Sequence, residues 1–566
     1  MPTPRWHLLS TDEAAAQHLR DTLGIHPLLC RLLVQRGIFS FEKARQFFRP
    51  SLDGLHDPYR MRDMDRAADR LDRAVQNGER ILLYGDYDVD GTTSVALLFT
   101  FLSGICQNLD YYLPDRDKEG YGVSLAGVEY ARSTGATLVV AMDCGVKAHK
   151  AVALAQSHGI DFIVCDHHLP DPELPDAVAI LDPKRPDCDY PFKELSGCGV
   201  AFKLAQALAL RWNTPAEEVS PLLDLVAVSI CCDLVPITGE NRVLVHLGMQ
   251  SLNREPRLGL WALAQRSGRR YPLEVSDVVF GLGPMINAAG RLGDAREAVR
   301  VLLAAERTSA LEAAGTLAMR NRERKQADQS TADAARRRVL ADPVAAAGKS
   351  IVLFDPHWHK GIIGIVASRM AEYFHRPAVI LTESEGRAVG SARSVPGFDL
   401  HAALSRCEHL FSSFGGHAYA AGVQMPLENV PLFSKMFEAV VRETLPPEAE
   451  TPEIEISGLL NFAEITPAFW RTLRQFAPFG PGNMTPVFWA KGVRDTGKSR
   501  HLTNNHVRLS LCQGDGPGFG GVAFGLGDAF RAVQDGPFDL AFSLFDDDWQ
   551  GERVLALMAR GMRLPA

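Results

Sequence analysis

The chain has 566 residues, of which 46% are hydrophobic and 23% charged, with a formal net charge of −8. That length suggests roughly three to four domains, each able to bury its own core. The composition is ordinary for soluble globular protein, and the negative balance excludes a uniformly basic nucleic-acid coat, though not a local basic groove.

The ten cysteines include no C-x-x-C pair, only the adjacent Cys231 and Cys232. This pattern fits free thiols in a reducing compartment better than a disulfide framework. The opening MPTPRWHLLSTDEAAA lacks the charged start and apolar core of a secretory signal, and no apolar run reaches the length of a membrane span. The cytoplasm is the expected location.

Residues 1–75 carry apolar residues at helical spacing in DEAAAQHLRDTL, HPLLCRLLVQRG and DMDRAADRLDRAV, and are expected to form a helical N-terminal cap on the first core. From Gly78 strand-like and helix-like stretches alternate, over a domain expected at 76–300. Ile81–Tyr84, Asn108–Leu113, Thr137–Met142, Asp161–Cys165 and Ala177–Leu181 read as strands, with helices over Thr92–Ile105 and Ala148–His158. Such alternation implies a parallel α/β sheet, whose ligands gather at the carboxyl ends of its strands.

The residues after each strand carry the chemistry. The first is followed by GDYDVDG with Asp86, Asp88 and Asp90, the second by Arg116, the third by Asp143, and the fourth by Asp166, His167 and His168. A further acid, Asp233, ends the apolar run Leu222–Ile230, which reads as a buried helix. An Asp-rich turn alone also reads as a solvated loop. Acids and imidazoles after successive strands suit a two-metal site, because hard divalent cations take oxygen and imidazole ligands and favour in-line attack on phosphorus. Asp86, Asp88 and Asp90 are expected to point the same way by their period of two.

GDYDVDG, PDRDKEGYG, DCG and DHH, in this order, resemble the DHH phosphoesterase family. GLGPMINAAGRLGDA at Gly281–Ala295, GSARS at Gly390–Ser394 and FGGHAYAAG at Phe414–Gly422 are similar to its branch of single-strand-specific exonucleases. The resemblance implies a metal-dependent exonuclease of DNA repair and recombination. It would digest single-stranded DNA from 5′ to 3′ into 5′-mononucleotides. Two cations, Mn²⁺ or Mg²⁺, would be held by Asp88, Asp90, Asp143, His167 and Asp233, with Asp143 bridging and Asp86 a ligand or an orienting neighbour. His168 would orient the attacking water or stabilise developing charge. Some members have His where Tyr84 stands, which leaves the share of Asp86 open. The family pattern places Arg116, Arg291, Ser391 and Arg393 around the 5′ end, and Asn287 and His417 near the scissile region. The implied partners are single-stranded DNA, a RecQ-type helicase and a single-strand DNA-binding protein, with the chain a monomer away from membranes.

Glu306–Leu340, rich in Ala, Leu, Arg and Glu without proline, predicts a long connector helix within 301–348. Its Arg320, Arg322, Arg324 and Lys325 read as a solvated face. A second, smaller α/β lobe is expected at 349–446, with strands Ile351–Phe354 and Ala378–Leu381 and a helix within Ile362–Tyr373. Its glycine-rich loops beside Ser391, Arg393 and His417 suit a phosphate. The resemblance makes this the DHH-associated domain.

The tail, 447–566, turns to short strand-like segments separated by Gly, Asn and Asp: PEIEI, PVFWAKGV, HVRLSL, FGGVAF and FDLAFSLF. They predict a small antiparallel barrel, which the resemblance makes an OB-fold single-strand DNA-binding domain. Phe479, Phe488, Trp489 and His506 are stacking candidates, and Lys491, Arg494, Lys498, Arg500 and Arg508 are phosphate contacts. The acidic run Asp546–Asp548 with Trp549 reads as an outward turn or a partner surface. Two other readings share these motifs: a DHH phosphodiesterase of short oligonucleotides or small phosphates, and a catalytically inactive nucleic-acid-binding scaffold. The connector helix and barrel speak against the first, and the complete acid and histidine set against the second.

Overall fold

The computed structural model describes residues 3–549 and 552–565. The chain forms two compact units. One holds the residues up to Gly37, Glu323–Thr472 and the chain from Pro486 on; the other holds Ile38–Arg322 and Leu473–Thr485.

The second unit is built on five parallel strands, in the spatial order Leu109–Tyr112, Ile81–Gly85, Leu138–Met142, Asp161–Cys165, Ala179–Leu181. Their near-continuous apolar runs are what a parallel sheet covered on both faces requires. Alternate residues sort into two cores. Ile81, Leu83, Leu138, Val140 and Ile163 pack with helices Met64–Gln76, Val89–Leu102 and Gly197–Arg211, while Leu82, Tyr84, Val139, Ala141 and Phe162 pack with Leu125–Thr134 and His149–Ser157. After Ile81–Gly85 the chain first adds a strand on one side and then crosses to the other. This makes the gap between Ile81–Gly85 and Leu138–Met142 the switch point, where a binding site is expected beyond the carboxyl ends.

The segment Leu473–Thr485 leaves the tail to join this unit. Its anchor is Arg242, whose guanidinium donates to the carbonyls of Phe47 (3.0 Å), Gln475 (3.3 Å), Phe476 (2.9 Å) and Ala477 (3.0 Å). Phe476 is fully buried and packs edge-on against Phe47 and Phe48. Arg242→Ala strands several carbonyls at once, so a loss of about 3 kcal/mol or more is expected, read as a lower temperature for the first thermal transition. Arg242→Lys should recover only part of it, because an ammonium cannot span four acceptors as the planar fork does.

In the other unit, the expected N-terminal cap over 1–75 proves to be divided. Arg5–Leu8 is a strand pairing in parallel with Glu453–Ile456, and helices Glu13–Leu23 and Pro27–Gln35 stay with it, whereas Met64–Gln76 covers the parallel sheet. PEIEI therefore pairs with the N-terminus rather than closing the barrel. The second lobe is a five-stranded sheet ordered Ser413–Gly416, Ala420–Pro426, Arg387–Arg393, Ala378–Ser384, Ile351–Phe354, with only the last pairing parallel. The connector helix spans Arg307–Ala341.

The tail closes as a five-stranded barrel: Phe488–Asp495, Phe538–Trp549, Glu552–Arg563, Phe519–Ala523 and Val507–Gln513, which pairs back onto Phe488–Asp495. It is not wholly antiparallel, since Phe519–Ala523 and Glu552–Arg563 run in parallel. Several stacking and phosphate candidates are corrected. Phe488 is core, fully buried against Phe469 and Phe542, and Phe479 belongs to the other unit. Trp489 meets Trp6 edge-on and lies under Lys491 and Arg563. Arg508 is paired with Asp547 at 2.6 Å. The acidic run continues a strand instead of turning, because it pairs with Arg553–Leu555; Asp546 accepts from Trp470, and the side chains of Asp548 and Trp549 lie outside the described residues.

Candidate metal centre

Beyond Gly85 the strand does not continue. Asp88 is the N-cap of helix Val89–Leu102, its Oδ1 accepting from the backbone of Asp90 (2.9 Å) and Gly91 (3.2 Å), and Asp90 sits in the first helical turn. The alternation expected of an extended chain therefore does not aim these carboxylates; the cap does. Gly91 permits the turn, since a Cβ there would stand 2.3 Å from the Asp86 carbonyl oxygen. Asp90 reaches the start of helix Gly197–Arg211 and accepts from the Gly197 N–H (2.6 Å), the Cys198 N–H (2.8 Å) and the Ser229 hydroxyl (2.6 Å).

Asp143 follows the strand across the switch point with φ of 59°, a left-handed conformation that Asp tolerates better than most side chains. Helix Gly197–Arg211 presses close behind it: a Cβ on Gly197 would lie 2.7 Å from that of Asp143. His167 is buried with its Nε2 at 3.2 Å from Asp143 Oδ1 and 3.6 Å from both Asp90 Oδ2 and Asp233 Oδ2. Three groups of potential ligand atoms result, each within 4.8 Å: Asp86, Asp88 and Asp143; Asp90, His167 and Asp233; and Asp143, His167 and His168. Asp143 belongs to two of them. All six residues expected to hold metal are thus brought together.

The electrostatics suit cations. Burial, reinforced by neighbouring carboxylates, pushes Asp86, Asp88, Asp143 and Asp233 above the ordinary carboxylate range. Burial holds His167 below the ordinary imidazole range, and neither of its ring nitrogens has a hydrogen-bond partner, nor has Asp86 Oδ1. Buried polar atoms without partners beside crowded carboxylates are a costly arrangement that divalent cations relieve. A set of carboxylate oxygens with one or two imidazoles fits Mn²⁺ and Mg²⁺.

Asp166, the acid of the DHH triplet, is a holder. It accepts from the backbone of His167 (2.8 Å), His168 (3.2 Å) and Val146 (2.9 Å), and its Oδ1 lies 2.7 Å from His168 Nδ1. Against burial, which works the other way, that bond raises His168 to about 9, with Nε2 at 3.0 Å from the Tyr121 hydroxyl. Tyr84 takes no part in the ligand groups. Its ring stacks on Tyr112, and its hydroxyl donates to the Gly122 carbonyl at 3.0 Å.

Helix Gly283–Leu292 lies against the GDYDVDG turn. Asn287 Oδ1 accepts from the Val89 N–H at 3.1 Å, and Gly290 leaves room for the Tyr87 carbonyl. The charges of Arg116 and Arg291 both bear on Tyr87, Arg116 lying 5.2 Å from its ring centroid. In the other unit Ser391 and Arg393 occupy one face of a strand, not a glycine loop; Ala388, Gly390 and Ala392 alternate with them as buried small residues. Arg393 donates to Ser391 Oγ at 2.8 Å, and both lie close to Gly364 at the start of helix Ile363–Phe374. His417 sits in the turn between Ser413–Gly416 and Ala420–Pro426.

Two residues went unread in the sequence. Asp182 follows the fifth strand, is fully buried and is pushed up to about 7 by burial; Lys184, two residues on, bears electrostatically on His167 and Asp233. The strand-end rule applied to DPKRP would have found both.

Three stretches match family models: the DHH family, N-terminal domain, over residues 80–230; the DHHA1 domain over 347–443; and the RecJ OB domain over 456–561. The chain is 35% identical over 561 residues to the single-stranded-DNA-specific exonuclease RecJ of Bacillus subtilis, covering 98% of this chain and 70% of that one. Identity to RecJ of Escherichia coli is 35% over 560 residues, with coverage of 94% and 95%. Among solved structures, RecJ of Thermus thermophilus in complex with Mn²⁺ superposes with a TM-score of 0.85 at 28% identity, over 99% of this chain and 80% of that one. The Mg²⁺ complex gives 0.79 at 27% identity, over 99% and 79%.

Proposed function

The chain belongs to the RecJ family of single-stranded-DNA-specific exonucleases, and from that premise we propose that it removes mononucleotides from the 5′ end of single-stranded DNA with two divalent cations, Mn²⁺ or Mg²⁺. The observation that carries the reading is the convergence of five carboxylates and His167 at the switch point, with buried ligand atoms unpartnered. Asp86, Asp88, Asp90, Asp143, His167 and Asp233 hold the ions. When bound, these supply Lewis acidity that neutralises phosphoryl charge and makes coordinated water acidic.

The protein's own groups do the rest. Asp166 fixes the DHH turn and keeps a proton on His168, which donates to a phosphate oxygen in the site. Arg116 and Arg291, beside Tyr87, bind the terminal phosphate, a task suited to guanidinium. Ser391 and Arg393, joined on one strand face at a helix start, are a second phosphate cradle, and His417 contacts the nucleotide near the scissile bond. Asn287 keeps the start of the Asp88–Asp90 helix in place. The barrel binds the single strand, with His506 beside the exposed Phe524 its remaining stacking candidate.

Among the described residues no helix is long and apolar enough to cross a membrane, and all ten cysteines are free. These features support a cytoplasmic setting, where a RecQ-type helicase and a single-strand DNA-binding protein would supply the substrate.

Digestion of 5′- and 3′-labelled single and duplex DNA with Mn²⁺, Mg²⁺ and EDTA tests the reading. Release of the 5′ label first, from single strands and only with metal, is expected; preference for dinucleotides over long strands, or activity in EDTA, rejects it. Arg291→Ala should slow 5′-phosphorylated strands by about tenfold or more, the worth of a charge-assisted bond, while Mn²⁺ binding persists. Normal steady-state turnover of that variant would remove Arg291 from the phosphate pocket.

A further inference from the structure

Asp233 is poorly held by its own helix. It is the last residue of Leu223–Asp233, where the helix dipole disfavours a carboxylate, and it faces the charges of Asp90 and Asp88. The next residue, Leu234, is 60% exposed and left-handed at φ 60°, a conformation costing about 1 kcal/mol for a side chain of this kind. Something beyond the helix must fix the course of Asp233–Thr238.

The Ala477–Asn483 loop is built to do so. The Ile237 N–H donates to the Pro481 carbonyl at 2.7 Å. Gly480 lies flat on the buried Ile237 side chain, where a Cβ would stand 2.5 Å from Cδ1, and Gly482, at φ 72°, closes on Thr238 and Pro236. Asn483 is 2% exposed and ties the loop to itself. Its Nδ2 donates to the carbonyls of Phe476 (2.9 Å) and Pro478 (2.7 Å), while its backbone exchanges two bonds with Gly480. From the other side Asn241 Nδ2 donates to the Pro236 carbonyl at 3.0 Å. The five residues after Asp233 are thereby gripped at Pro236, Ile237 and Thr238, and the loop itself is anchored by Arg242.

We propose that the Ala477–Asn483 loop is a positioning clamp for Asp233, holding its carboxylate at the distance from His167 and Asp90 that a shared cation requires. The proposal rests on the metal reading given above. Groups that orient a ligand from behind typically change metal affinity by about 10–100-fold when removed. Gly482→Ala, at an exposed position, disturbs the grip without emptying a core, and Asn483→Ala unties the loop more severely.

Mn²⁺ binding by calorimetry and by electron paramagnetic resonance, on the full chain in parallel with single-strand turnover, separates the possibilities. Wild type is expected to take up two ions. Gly482→Ala should retain its thermal transition within a few degrees yet bind one of the two ions about tenfold more weakly, with kcat reduced and KM for DNA unchanged. Asn483→Ala, where folded, should show the larger shift. A Gly482→Ala isotherm identical to that of wild type, with unaltered kcat, overturns the clamp and leaves the metal site standing. A wild-type protein that fails to bind two ions overturns the metal reading itself.

Discussion

The Asp143→Asn variant is expected to turn over single-stranded DNA at least about 10³-fold more slowly than wild type. Asp143 alone among the carboxylates belongs to two of the ligand groups, and its Oδ1 lies 3.2 Å from His167. Removing a shared ligand forfeits several kcal/mol of charge stabilisation, at about 1.4 kcal/mol per factor of ten. Asparagine is the informative replacement. It has nearly the same volume, so the close approach of Gly197 is undisturbed, and it accepts the φ of 59°. A second readout has the opposite sign. In EDTA the variant should melt at or above the wild-type temperature, because one buried charge repelled by Asp90 and Asp88 is gone. With saturating Mn²⁺ the order should invert, since binding at about 100 times the dissociation constant is worth about 2.7 kcal/mol to the protein that binds. Turnover within tenfold of wild type, or no inversion, would show that Asp143 is not the shared ligand.

Asp90→Ala is expected to damage fold and site together. The carboxylate takes two backbone N–H groups at the start of helix Gly197–Arg211 and the Ser229 hydroxyl, all in the interior. At about 1–3 kcal/mol for each of the three stranded buried donors, the loss is about 3–9 kcal/mol, of which relief from Asp88, Asp143 and Asp233 returns a part. Asp90→Asn keeps acceptor oxygen in place and should recover much of the stability but not the metal affinity. Thermal melts, with hydrogen exchange at Gly197 and Cys198, read the first effect and Mn²⁺ binding the second. An alanine variant as stable as wild type would mean that these donors find other partners.

The parallel sheet was legible because each strand is written locally, as an apolar run followed at once by polar residues. The same grammar exposed Asp86, Asp143 and His167. Carried on to Ala177–Leu181, which the sequence marks as a strand, the same rule reaches Asp182, the buried acid directly behind it. The aim of Asp88 and Asp90 was misjudged because VDGTTSV, with its glycine and β-branched residues, hides a helix start that the Asp88 cap makes possible. Ser391 and Arg393 stand on a strand whose glycine packs between Leu381 and Val423, a tertiary fit that no window reveals. The grip of Gly197 and Ser229 on Asp90, and the departure of Leu473–Thr485 from the tail, join residues more than a hundred positions apart and leave no local trace.

The pairing of Arg5–Leu8 with Glu453–Ile456 also sets a timetable for synthesis. A ribosome adding about 5–20 residues per second needs roughly 20–90 s to travel between these partners, and the first strand must wait unpaired for that time. The residues of the parallel sheet emerge early, whereas Pro481, which takes the Ile237 N–H, emerges only with the last sixth of the chain. Nascent chains therefore carry the carboxylates of the strand ends long before the segment beside Asp233 has its partner. Any fragment cut ahead of Leu473 inherits the same unfinished state.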